Sequence, residues 1–370
     1  MDAITLRREI HQNPELSFCE EQTAKRITEA LSQCGIASES IAGSGVLVKL
    51  EGEGDLNRAV ILRADIDALP ICEQNELGFS SKNEGVMHAC GHDMHAAMLF
   101  DALVSLNENR TFEGTIFGVF QPGEELLPGG ASLVLKENPF QGYDIIGAIA
   151  QHVEPDFEVG TVGFKSGKYM AASDELRFYA KGQGGHAAMR SRISDSVGCS
   201  CTLISEILTL NDEDTVLSIG KIEANGATNV IPSQVYSEGT LRTFDEIIRR
   251  DTKLKIKDIA LLLSEEWGVK IEVEITDGYP SVVNDTKIAK IAKEIALQSL
   301  DVVDLERRPT AEDFGYFTQA YPSLLYRVGV GTQAGKLHTS TFNPDESAIP
   351  VGSGLMQKIA RKLLEKVNYD

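Results

Sequence analysis

Three histidines and a cysteine fall within eight residues, in Val86-Met87-His88-Ala89-Cys90-Gly91-His92-Asp93-Met94-His95. Imidazole and thiolate side chains at this density are a supply of metal ligands. Gly91 permits a sharp backbone turn between Cys90 and His92, so that both can face one ion. The plainer alternative is a helix start in which Asp93 caps and the histidines are solvated. A second feature is Phe120-Gln121-Pro122-Gly123-Glu124-Glu125. Successive side chains of a regular strand point to opposite faces. A Pro-Gly stop instead lets both carboxylates project into a crevice at the strand's C-terminal end, where open α/β sheets place their sites. One carboxylate can then ligate while its neighbour serves as a base, although a Glu-Glu pair in an acidic chain is ordinarily solvated. His152 closes an apolar run, and His338 lies in Lys336-Leu337-His338-Thr339-Ser340. Each alone is an ordinary polar residue. As a set, Cys90, His92, the Glu124-Glu125 pair, His152 and His338 supply five ligands and one spare carboxylate, enough for one or two ions with open positions for water.

The elements that must position these residues follow from hydrophobic patterning. Helical spacing is expected from the first residues, over 18–33 and over 93–106. Strands are expected at 44–50, 58–64, 114–120 and 144–150, an alternation that favours a layered α/β sheet. The middle reads differently: a strand at 173–181, a helix near 193–209, strands near 215–223 and 233–243, a helix near 245–266 and a strand at 270–276. That order is βαββαβ, the split, ferredoxin-like unit. The alternation then resumes and closes with a helix near 345–367. The expected fold class is α/β: a two-layered or three-layered α/β domain formed by 1–171 and 280–370, with a ferredoxin-like βαββαβ domain inserted at 172–279.

The chain has 370 residues, 35 Lys+Arg against 55 Asp+Glu and a formal charge of −20. This length suits two domains or one with an insertion. The acid excess argues against nucleic acid or an anionic membrane surface as a partner. No run approaches the ~18 apolar residues of a membrane span. The N-terminus lacks an apolar signal core, and a cytoplasmic protein is expected. Six cysteines without a regular framework do not suggest disulfides; most are expected to be small buried hydrophobes, with Cys90 the exception.

Eight motifs stand in order along the chain. They are Arg7-Arg8-Glu9-Ile10-His11-Gln12-Asn13-Pro14-Glu15-Leu16, Leu62-Arg63-Ala64-Asp65-Ile66-Asp67-Ala68-Leu69-Pro70, His88-Ala89-Cys90-Gly91-His92-Asp93, Gln121-Pro122-Gly123-Glu124-Glu125, Gly184-Gly185-His186-Ala187-Ala188, Thr228-Asn229-Val230-Ile231-Pro232, Glu312-Asp313-Phe314 and Leu337-His338-Thr339. The series resembles the dinuclear metallopeptidase and amidohydrolase family that includes aminoacylases and glutamate carboxypeptidases. Within it, the chain resembles the branch with hippurate hydrolase, indole-acetyl-amino-acid hydrolases and N-acetyl-diaminopimelate deacetylase. The resemblance implies that Cys90, His92, Glu125, His152 and His338 are metal ligands and that Glu124 is the general base. It implies that His186 reaches from the inserted domain into an active site, commonly the partner subunit's, to stabilise the oxyanion. Asn229 resembles the residue that contacts the substrate's carboxylate end, with Arg242 as a possible helper. The wider family's His-x-Asp ligand motif lacks its His here, so Asp65 and Asp67 are not counted as ligands. The branch usually has Ala where Gly123 stands, Gly where Ala150 stands and Pro-His where Arg190-Ser191 stand, departures that bear on substrate preference and remove no ligand.

The resemblance therefore implies a metal-dependent amidohydrolase that cleaves N-acyl-amino acids and holds two divalent ions per subunit: zinc, manganese, nickel or cobalt. A carboxypeptidase or dipeptidase would use the same site on small peptides. A catalytically silent binding protein is disfavoured, since all five ligands are kept. The resemblance and the exposed edges of a split sheet both lead to an expected homodimer through the inserted domain.

Overall fold

The computed structural model describes residues 1–365. The chain splits into two compact units, one formed by Met1–Gly167, Val283–Glu306 and Asp313–Asp370, the other by Lys168–Val282 with Arg307–Glu312.

The first unit is built on an eight-stranded mixed sheet. Its order is Ser38–Ile41, Gly45–Glu51, Thr115–Gln121, Arg58–Asp65, Asp144–Glu154, Ser323–Gly329, Thr161–Phe164 and Asp301–Asp304. The four central strands run parallel to one another. Thr115–Gln121 and Ser323–Gly329 are buried at every residue, as expected of strands covered on both faces. The helix His92–Glu108 packs against Ile349–Leu364 and is buried around most of its girth, which is why it shows little amphipathic periodicity. Leu62, Leu99, Leu103, Ile116, Phe120, Ile149, Tyr326 and Met356 lie in one apolar core. Arg58–Asp65, Thr115–Gln121 and Asp144–Glu154 deliver Asp65, Gln121 and His152 to the same end of the sheet.

The second unit has four antiparallel strands in the order Thr215–Ala224, Gln234–Thr243, Ala172–Lys181 and Lys270–Asp277. The helices Ser196–Leu208 and Glu246–Trp267 supply the other half of its core, where Leu176, Phe178, Cys199, Leu203, Leu241 and Ile256 meet. Ala172–Lys181 alternates buried and more exposed residues, the mark of a sheet covered on one face. Asp195 and Asp245 cap the two helices by accepting from Gly198 N–H and from Ile247 and Ile248 N–H. The βαββαβ order and the antiparallel pairing are those of a ferredoxin-like unit.

Several expectations shift. The helix near 18 begins at Glu21. The strand at 144–150 continues to Glu154, so His152 lies inside it rather than at its end. The closing helix is Ile349–Leu364, after a single 3-10 turn at Glu346–Ala348; positions 366 and 367 of the expected helix lie outside the described residues. The first unit also holds the expected N-terminal helix, at Ala3–Gln12, and helices at Gly130–Glu137, Thr286–Ala296 and Gly315–Ala320. All six cysteines are free, but only Cys90 and Cys199 are buried, whereas Cys19, Cys72 and Cys201 are exposed. No helix is long and apolar enough to cross a membrane among the described residues.

Candidate metal centre

Cys90 and His92 flank the left-handed Gly91, whose φ is +83°. A Cβ at Gly91 would stand 2.6 Å from Val153 Cγ2, so both the turn and the close approach of strand Asp144–Glu154 demand glycine. His338, far along the chain, is brought in by its backbone N–H, which donates to the Ala89 carbonyl at 2.8 Å. It holds a φ of +59°, an uncommon conformation for a residue with a Cβ. Glu124 and Glu125 follow Gly123, whose φ is +61°. The Phe18 ring lies over Gly123, and a Cβ there would fall 2.2 Å from Phe18 Cε1. Alanine, usual at this position in the branch, does not fit under that ring.

These turns bring six expected residues together. Cys90 Sγ lies 3.4 Å from His152 Nε2 and 3.3 Å from His338 Nε2. Glu125 Oε1 lies 3.4 Å from His338 Nε2 and 3.9 Å from His92 Nε2. Donor atoms of Cys90, His92 and His152 form one cluster, and those of Cys90, Glu125 and His338 form a second, each within 4.8 Å of one another. Cys90 is common to both. Glu124 gathers with His92 and Glu125 in the same way and is 7 % exposed.

A divalent ion fits this arrangement. Two donors about 2.1–2.3 Å from one tetrahedral ion lie about 3.4–3.8 Å from each other, close to the spacings here. His92 Nε2 and Glu125 Oε1 are buried without a hydrogen-bond partner among the described residues, a costly state for polar atoms unless something else satisfies them. With protein groups alone, burial pushes the Cys90 thiol up to about 12. A thiol so placed becomes a thiolate beside a cation, which inverts the local logic. Burial, then the Arg327 charge, holds His152 well below the usual histidine range, so its ring stays neutral with a lone pair to offer.

Residues 61–362 match the peptidase family M20/M25/M40. The chain belongs to that family. It is 34% identical to the N-acetylcysteine deacetylase of Bacillus subtilis (strain 168), covering 98% of this chain and 97% of the relative. It is 32% identical to the N-acetyldiaminopimelate deacetylase of Exiguobacterium sibiricum, covering 97% and 99%. The solved structure of the Bacillus subtilis YXEP protein, described as a dinuclear metal binding peptidase of the M20 family, superposes with a TM-score of 0.87 at 33% identity, covering 99% and 98% of the two chains.

In this M20-family chain the remaining members of the histidine-rich run are not donors to either cluster around Cys90. His95 is hydrogen-bonded through both ring nitrogens, to Asp65 and to Val153. His88 is buried with neither ring nitrogen partnered among the described residues, and burial holds it down to about 3. Asp93 is no helix cap, for Gly91 is the cap residue and no side chain caps there. Its carboxylate instead takes Arg7 Nε at 2.7 Å and His11 Nδ1 at 2.9 Å.

Asp67, not counted as a ligand from the sequence, has another task. It accepts from His92 Nδ1 at 3.0 Å, Ser17 Oγ at 2.7 Å and Glu125 N–H at 2.9 Å. One carboxylate thus sets the tautomer of His92 and the backbone of Glu125. The sequence reading weighed Asp65 and Asp67 only as ligands and set them aside, counted His95 only in the histidine supply, and gave Ser17 and Arg63 no role of their own. The available signal was the alternation Arg63, Asp65, Asp67 at the end of an otherwise apolar strand.

His186, Asn229 and Arg242 belong to the second unit. A two-strand ladder pairs His186 with Val230, and Ala187 N–H donates to the Asn229 carbonyl at 2.9 Å. His186 and Asn229 are therefore neighbours there, and both are exposed. His186 Nδ1 accepts from Ala188 N–H at 3.2 Å, so Nδ1 carries no proton and the ring N–H is on Nε2. Arg242 is half-buried on strand Gln234–Thr243, with Nη1 3.4 Å from the Leu241 carbonyl.

Proposed function

We propose that this chain is a metal-dependent amidohydrolase that cleaves the amide bond of N-acyl amino acids. The observation that carries the reading is the pair of donor clusters that share Cys90, with Glu124 beside them and unused as a donor to either. Cys90, His92 and His152 would hold one ion, and Cys90, Glu125 and His338 the other. The thiolate and imidazoles favour zinc, nickel or cobalt, and the carboxylate tolerates manganese. Such ions supply a water of lowered pKa and polarise an amide carbonyl. Glu124 takes the proton from the attacking water and delivers it to the leaving amine. The exposed His186 offers its Nε2–H to the oxyanion, a role worth about 3–4 kcal/mol for one good donor. Asn229, held beside it, meets the carboxylate end of the substrate. The deacetylase relatives support the acyl-amino-acid class. A panel of N-acetyl and N-benzoyl amino acids, with dipeptides alongside, checks the reading after divalent-metal loading. Hydrolysis of acyl amino acids that disappears with chelator is expected; a metal-loaded protein inert across the panel refutes it.

The proposal includes a homodimer through the second unit and a cytoplasmic setting, the latter supported by six free cysteines. Ile247, Leu254 and Leu261 recur every seven residues along helix Glu246–Trp267 and are 64%, 54% and 60% exposed. On the edge strand Thr215–Ala224, Val216 and Ile222 are 41% and 56% exposed. Apolar stripes and open edges of this kind call for a partner. Sedimentation should give a dimer. Mixing an inactive His186→Ala subunit with an inactive Glu124→Gln subunit should restore activity if His186 serves its neighbour; a fully active monomer ends the assembly reading.

A further inference from the structure

A buried polar chain runs beneath the His152 side of the centre, entirely within the first unit. Asp313 Oδ1 accepts from Arg63 Nη2 at 2.6 Å, and Asp313 Oδ2 accepts from Gln121 Nε2 at 2.8 Å. Gln121 Oε1 in turn accepts from Arg63 Nε at 2.9 Å. Arg63 Nη1 donates to Asp65 Oδ2 at 2.7 Å, and Asp65 Oδ1 meets His95 Nδ1 at 2.5 Å. His95 Nε2 accepts from the Val153 N–H at 2.9 Å. Arg63, Asp65, His95, Gln121 and Asp313 are all at most 1% exposed.

This bonding fixes the state of His95. A ring nitrogen that accepts from a backbone N–H carries no proton, so the proton is on Nδ1 and goes to Asp65. Neither nitrogen retains a lone pair for an ion, and His95 is not a ligand. Its position has a backbone reason. The ladder between Arg58–Asp65 and Asp144–Glu154 ends at Arg63 opposite Ala150. Beyond it, the Val153 N–H goes to the His95 ring in place of a strand. The Val153 carbonyl then faces His152 Nδ1 at 2.8 Å. That bond places the His152 proton on Nδ1 and leaves the Nε2 lone pair, which lies 3.4 Å from Cys90 Sγ.

We propose that His95, anchored by Asp65, Arg63 and Asp313, is a positioning residue for one half of the ion pair: it holds the Val153 backbone that aims the His152 ring. The inference rests on the two-ion reading above. Its distinguishing content is selectivity. The Cys90–His92–His152 ion depends on this post, and the Cys90–Glu125–His338 ion does not.

Bound metal counted against free zinc, with the melting temperature measured in chelator, tests it. Wild type should hold two ions. His95→Leu should lower the affinity of one ion by about 10–100-fold, the scale for loss of a partner behind a ligand, and leave the other unchanged. Asp65→Asn should do the same by a separate route. Its amide must either face Arg63 donor to donor or force the His95 proton onto Nε2, against the Val153 N–H. His95→Gln, whose carbonyl can accept from Val153 and whose NH2 can donate to Asp65, should restore the Cys90–His92–His152 ion. Both ions retained in His95→Leu, or both weakened together, overturns the proposal, as does His95→Gln behaving like His95→Leu. A wild type holding fewer than two ions refutes the two-ion reading itself.

Discussion

Glu124→Gln is expected to keep both ions and to lose at least about a hundredfold in turnover, the usual scale for removal of a general base. The substitution preserves shape and hydrogen-bonding reach and removes only the capacity to take a proton. Glu124 is buried beside His92 and Glu125 without being needed in either cluster around Cys90. The expected signature is therefore a split: metal content and KM near wild type, kcat sharply reduced. Substrate turnover and bound metal measured on the same preparation check it. Turnover close to wild type would place the base on another residue.

Cys90→Ala is expected to act on both ions at once. Cys90 Sγ lies 3.4 Å from His152 Nε2 and 3.3 Å from His338 Nε2, and it is the donor common to the two clusters. Its loss leaves each ion with two of its three protein donors. Because removing even an outer partner costs about 10–100-fold in affinity, losing a direct donor should cost each ion more than that. Activity should fall in step with metal content. The melting temperature in chelator should stay near wild type, which separates ligand loss from unfolding. Wild-type binding of two ions by Cys90→Ala would show that the thiol is not shared.

The two variants also probe different depths of information in the chain. The donor types, the Gly turn between Cys90 and His92, and the Pro-Gly stop before Glu124 are local features, and each was legible as sequence. So were most helices and about half of the strands among the described residues, because a strand such as Ala172–Lys181 writes its one-sided burial directly as alternation, whereas Ser323–Gly329, buried at every residue, has no such pattern. Gly130–Glu137 and Thr286–Ala296 were not legible. The first opens in Gly129-Gly130, which reads as a turn, and both lie in stretches read only as alternation.

By itself the sequence determined the supply of chemistry: a thiol, imidazoles and paired carboxylates, on elements able to form an α/β layer and a βαββαβ unit. Tertiary structure decided the division of labour among near-identical side chains. His92 and His95 are three residues apart on one helix, yet Asp67 takes the Nδ1 of His92 and leaves Nε2 without a partner among the described residues, while Asp65 and Val153 consume both nitrogens of His95. Asp65 and Asp67 are both carboxylates at one strand end, yet hydrogen bonds from Arg63 and His95 in one case, and from His92, Ser17 and Glu125 in the other, assign them to support. The physical reason is that a lone pair is used once. Apart from the local Arg63–Asp65 bond, which partner takes it depends on groups 25 to 58 residues distant in the chain, and no local pattern encodes those contacts.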